Sequence, residues 1–144
     1  MLPILVNLIT GDFMSIAQED IGNKTSVWQI VVDILSKYGS LPVYPPATHK
    51  GVCTEPYIVV KEDGATNVIG YSAMYRFFRI MIYVPKNEYS KLDGYEEEVR
   101  GILQEKIFPL LLPYGSHESD YYDDNYDAHL RQMVYRNVYR EKHI

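Results

Sequence analysis

Tyr75-Arg76-Phe77-Phe78-Arg79-Ile80-Met81-Ile82-Tyr83-Val84 is β-branched and aromatic along most of its length, and Pro85 closes it. Strand periodicity puts Arg76, Phe78, Ile80, Ile82 and Val84 on one face and Tyr75, Phe77, Arg79, Met81 and Tyr83 on the other. Both faces are largely apolar. A strand of that kind belongs inside a sheet, with helices on one face and a partner or another layer on the other. Phe78, Ile80, Ile82 and Val84 are therefore the expected core strand.

Upstream, Pro56-Tyr57-Ile58-Val59-Val60-Lys61 has the same strand chemistry, and Glu62-Asp63-Gly64 is a turn signal at its end. A short pairing segment is expected around Val68 to Ser72. Further back, Trp28, Val31, Val32, Ile34 and Leu35 recur at helical spacing, with Lys24-Thr25-Ser26 as possible N-caps and Gly39 as a stop. The prolines in Leu41-Pro42-Val43-Tyr44-Pro45-Pro46 predict a non-helical connecting loop.

Downstream, Leu92, Tyr95, Val99, Ile102, Leu103 and Ile107 mark an amphipathic helix whose wetter side carries Glu96, Glu97, Glu98, Arg100 and Lys106. Gly94 and Gly101 weaken that helix, and close packing on the sheet is the expected reason. Pro109 and Pro113 end it. An acidic, tyrosine-rich loop follows, then a last alternating strand from Leu130 to Arg140, with Met133, Tyr135 and Tyr139 on one face and Leu130, Val134 and Val138 on the other. The order predicts an α+β domain: an antiparallel or mixed sheet of about four strands with helices mainly on one face.

The chain has 144 residues, enough for one domain with one core. We divide it into an N-terminal arm or extension, residues 1–13, and a single domain, 14–144. The opening Met1-Leu2-Pro3-Ile4-Leu5-Val6-Asn7-Leu8-Ile9 lacks a basic flank and falls short of the roughly 20 residues that cross a bilayer, so neither a signal peptide nor a membrane anchor is expected. The arm packs on a neighbouring subunit or folds back on its own core. A formal charge of -5 gives no general attraction for phosphate backbones. A single cysteine, Cys53, forms no internal disulfide, which fits a reducing compartment. Fourteen tyrosines against four phenylalanines suit either a partner surface or half-buried strand positions.

The one concentrated chemical feature is Glu118-Ser119-Asp120-Tyr121-Tyr122-Asp123-Asp124-Asn125-Tyr126-Asp127. Its carboxylates lack the alternating order, glycine and distal glutamate of a calcium loop. The remaining readings are a solvated loop and a polar surface for docking or for lining a channel, with Glu118, Asp120, Tyr121, Tyr122, Asp123, Asp124 and Asp127 as the candidate residues. His49, His117, His129 and His143 show no metal or triad spacing, and the glycines form no phosphate cradle. No catalytic residue, cofactor or metal is expected.

The strand ending in Ile82-Tyr83-Val84-Pro85, Tyr89, the helix with Tyr95 and Val99, the strand Cys53-Thr54-Glu55-Pro56-Tyr57-Ile58-Val59-Val60, and the acidic loop before a last strand with Met133 and Tyr135 together form a pattern. Over roughly residues 25 to 140 it resembles the tail-terminator, or tail-completion, proteins of long-tailed bacteriophages and related phage-tail-like particles. Residues 1–13 fall outside it. The resemblance implies a small α+β virion protein, assembled in the host cytoplasm, whose hexameric ring caps the tail tube protein and ends its polymerisation. Such a ring also offers a surface to the neck or head-completion protein, meets the sheath protein in contractile tails, and lets DNA pass without specific binding. The alternatives are a head-tail connector and a small metal-dependent enzyme using the acidic loop.

Overall fold

In the computed structural model the described residues are 26–48, 51–67, 73–115 and 119–140. The arm at 1–13 and the pairing segment expected at Val68 to Ser72 lie outside them. Helix α1, Val27–Tyr38, begins where Ser26 holds an extended backbone and its hydroxyl accepts from the Gln29 amide at 3.0 Å. This bond satisfies one of the orphan donors of the first turn. The helix stops at Gly39, though not through a left-handed turn. Gly39 has φ -93°, donates its amide to Leu35 O at 3.0 Å, and sits so close that a Cβ would lie 2.6 Å from that oxygen. The glycine is there for close approach.

Among the described residues the sheet has six strands rather than about four, and it is mixed. In chain order they are β1 (Val43–Tyr44), β2 (Tyr57–Asn67), β3 (Ala73–Pro85), β4 (Leu112–Pro113), β5 (Tyr121–Asp123) and β6 (Ala128–Arg140). Three short pieces stand outside the expected strands, β1, β4 and β5: β4 contains Pro113, expected to end the preceding helix, and pairs with β6, while the other two come from segments expected to be loops. The proline-rich connection supplies β1, which runs parallel to β2, and the acidic segment supplies β5, which pairs with β6. The spatial order is β1-β2-β3-β6-β4, with β5 also on the outer edge of β6.

The expected turn at Glu62-Asp63-Gly64 is a β-bulge instead. Glu62 pairs with Phe78 and Ala65 with Arg76, so two residues oppose one, and Gly64 takes φ +97° to allow it. The strand then continues to Asn67.

β3 is paired along both edges, with β2 and, from Ala73 to Pro85, with β6. Phe78, Ile80, Ile82 and Val84 are fully buried. They share one cluster with Ile58 and Val60 of β2, Met133 and Tyr135 of β6, Val31 and Leu35 of α1, and Val99 and Leu103 of the second helix, α2 (Leu92–Lys106). Burial of each such side chain stabilises by about 1.5–3 kcal/mol before entropy is counted. Polar ties hold the helices in place. The Trp28 indole donates to Val60 O at 2.7 Å, and the Ser40 amide donates to Glu98 of α2 at 2.6 Å.

A 3₁₀ turn, Tyr89–Lys91, leads into α2. Close packing does not account for its glycines. A Cβ built at Gly94 or Gly101 meets nothing within 4 Å, and Gly101 borders an apolar groove of about 400 Å³ beside Leu103, Leu111 and Pro113. No helix among the described residues is long and apolar enough to cross a membrane.

Because Ile80 and Ile82 have no exposure to lose, Ile80→Ala and Ile82→Ala should each cost about 2–5 kcal/mol, from lost burial and the cavity left behind. Urea denaturation would measure this, and midpoints within error of the wild type would contradict the placement of β3.

Candidate functional site

The acidic segment folds against the outer edge of β6, and only part of its charge reaches solvent. Glu118 lies outside the described residues. Asp120 faces Arg131 of β6, accepting from Nε at 2.9 Å and from Nη2 at 2.8 Å, and it also accepts from the Tyr89 hydroxyl at 2.6 Å. Arg131 Nη1 donates to Glu96 Oε1 at 3.0 Å and to Asp93, both on the first turns of α2. Glu96 accepts in turn from Arg100 Nε at 2.7 Å.

A bidentate carboxylate and two more acceptors on one planar guanidinium use most of its donors. Arg131 is only 11% exposed, and these bonds, that to Asp120 foremost, hold its guanidinium pKa far above its ordinary value. Where three carboxylates converge, the cation is therefore a side chain. Among the described residues no group of histidine, cysteine and carboxylate side chains could hold a metal ion.

Tyr121 and Tyr122 belong to β5, paired with Leu130 and His129. Tyr121 is 57% exposed. The Tyr122 hydroxyl donates to Asp127 Oδ1 at 3.0 Å, and its pKa is raised by desolvation and by that bond. His129 lies edge-on between Tyr89 and Tyr122, at 4.8 and 5.0 Å. Asp123 caps the turn that follows, accepting from the Asn125 amide at 2.9 Å, while Tyr126 N–H donates to Asp123 O. Asp127 sits at φ 48°. Asp124 and Asp127 are left exposed. The segment is thus a strand and a tight turn, pinned at Asp120 and carrying charge at its tip.

The sheet face away from the helices divides into two halves. At the β5–β6 end, Cys53, Tyr57, Val59 and Ala128 are buried under Tyr44, Met81, Tyr83 and Tyr126. Tyr57 stacks on Tyr83 at 4.8 Å, Tyr126 meets Tyr83 edge-on, and the Cys53 amide donates to Tyr126 O at 2.7 Å. Burial, then the Glu88 charge, pushes the Cys53 thiol up to about 11, against a small opposing effect of its bond to Glu55 O. Burial also raises Tyr57 and Tyr83.

At the other end Tyr75, Phe77, Val134 and Arg136 are only half-buried. Phe77 packs on Tyr114 at 4.9 Å, and Tyr114 is 44% exposed. No described element covers this half.

Sequence reasoning found the acidic segment but missed Arg131, which organises its surroundings. Arg131 shares the alternating face of Met133 and Tyr135, and a charge on an apolar face was the available signal. Its partners lie 11, 35 and 38 residues away, beyond any local pattern.

Two measurements follow from this geometry. Arg131→Met should destabilise the fold by about 1–3 kcal/mol in chemical denaturation, less than for a fully buried pair because Asp120 and Glu96 keep some water. An unchanged midpoint would show that the network contributes nothing. The second concerns Cys53, whose folded pKa is raised above its unfolded value. Its contribution is therefore complete below about pH 9 and is lost as pH rises from about 9 to 11. The melting temperature should fall across that window, and less steeply in Cys53→Ala; identical slopes would contradict it.

No family model matches this sequence, and no curated protein matches it.

Proposed function

We propose that this chain is a structural virion protein that forms a ring on the end of a tail tube, stops its polymerisation and offers the head-joining surface. The single observation that carries the reading is the two-sided sheet. One face of β3 is sealed by the chain's own helices, while the far half of the other presents half-exposed Tyr75, Phe77, Val134 and Arg136 with Tyr114 beside them. Aromatic and arginine side chains on a face that no described element covers suit a surface completed by another protein. A subunit with two different faces can make heterologous contacts, and these close into rings.

The resemblance supplies the kind of assembly, and with it the partners: the tube protein, a neck or head-completion protein, and the sheath protein where the tail contracts. DNA passes through the ring without specific binding. A metal-dependent enzyme is disfavoured by Arg131, which fills the point where Asp93, Glu96 and Asp120 meet.

Mixed with its tube protein, the chain should cap one tube end, and particles lacking it should carry tubes of uncontrolled length in electron micrographs. Tubes of normal length joined normally to heads in a null mutant would refute the proposal.

A further inference from the structure

The half of the second sheet face that no described element covers is built on Arg136. The carbon of its guanidinium lies 4.5 Å from the Tyr75 ring centroid and 5.5 Å from that of Tyr114, with Phe77 opposite it in the β3–β6 register. Its Nε is buried without a hydrogen-bond partner, and among the described residues it has no ion pair. A half-exposed guanidinium held between aromatic rings, with no carboxylate beside it among the described residues, is complementary to an anionic group brought in from outside.

The chain carries such an acceptor at the opposite end of its own sheet. The β5–β6 turn exposes Asp124 and Asp127 and holds Asp123 half-buried. Three bonds fix it: Asn125 N–H to Asp123 Oδ1, Tyr126 N–H to Asp123 O, and the Tyr122 hydroxyl to Asp127. A turn already rigid loses little entropy on docking. It cannot reach Arg136 of its own chain, because the run of β6 from Ala128 to Arg136 separates them by roughly 26 Å at strand rise.

We propose that the acidic turn Asp123–Asp127 of one copy docks on the Arg136, Tyr75, Phe77 and Tyr114 patch of the next. This rests on the ring reading and names the subunit contact within it. Different ends of the sheet meet, so the contact is heterologous and repeats from copy to copy until the ring closes. An exposed ion pair at its rim makes it weaken with salt.

The test is the oligomeric state of the full-length chain by sedimentation velocity over a concentration series. The wild type should assemble. Arg136→Glu and the double variant Asp123→Lys/Asp124→Lys should each lose the oligomer while keeping their melting temperature. An equimolar mixture of the two should regain it, because in an alternating ring the acidic patch of one variant meets the basic turn of the other, and the remaining contacts are wild type. Should a charge reversal unfold the chain, Arg136→Gln and Asp124→Asn take its place, each raising the half-assembly concentration roughly tenfold. If every variant assembles like the wild type, this contact is wrong while the ring reading stands. If the wild type stays monomeric throughout, the patch is no self-interface, the contact is again wrong, and the ring reading is then decided separately by tube-end capping.

Discussion

The pairing of β3 with β6 from Ala73 to Pro85 is the constraint on which the rest of the molecule depends. A one-residue slip in that register would turn Phe78, Ile80, Ile82 and Val84 out of the core and bring Tyr75, Phe77, Arg79, Met81 and Tyr83 under the helices. The core would then have to bury an arginine and several phenol hydroxyls. The cost of desolvating them fixes the register, and the register sets the identity of both faces. From the same ladder, Arg131 falls opposite Ile82 and Arg136 opposite Phe77, so one arginine is carried to the helix side and the other to the open side.

Those two arginines have different fates because their neighbours differ. Arg131 comes to rest beside the first turns of α2, where Asp93 and Glu96 wait, and it fastens β5 to the helix through Asp120. Carboxylates at a helix N-terminus are already favoured by its partial positive charge, and the guanidinium adds a planar set of donors. Among the described residues the Arg136 guanidinium meets only rings. The contrast separates a segment locked by its own fold from a surface with an unused donor.

Much of the architecture was legible because it follows from short-range periodicity. The alternation from Tyr75 to Val84 marked an inner strand, and Ser26 marked a helix start by its capping chemistry. The errors arose where a local signal has two structural meanings. Asp63-Gly64 suits a bulge as well as a turn, since both need a residue at positive φ. Pro42 and Pro45 exclude helix but leave room between them for Val43 and Tyr44 to pair in parallel with β2. The acidic segment was legible as composition, not as a strand, because only pairing with β6 extends it. The partners of Arg131 come from three separate elements, a proximity that no spacing in the sequence encodes.

The central claim is that the chain seals one face of its sheet and leaves half of the other for a neighbouring copy. Hydroxyl-radical footprinting with mass spectrometry, comparing the chain dissociated by dilution with the assembled form, tests it most directly. The account predicts that Tyr75, Phe77 and Tyr114 are labelled in the dissociated chain and protected on assembly, while Phe78 stays unlabelled in both. Equal labelling of Tyr75, Phe77 and Tyr114 in the two states would contradict it.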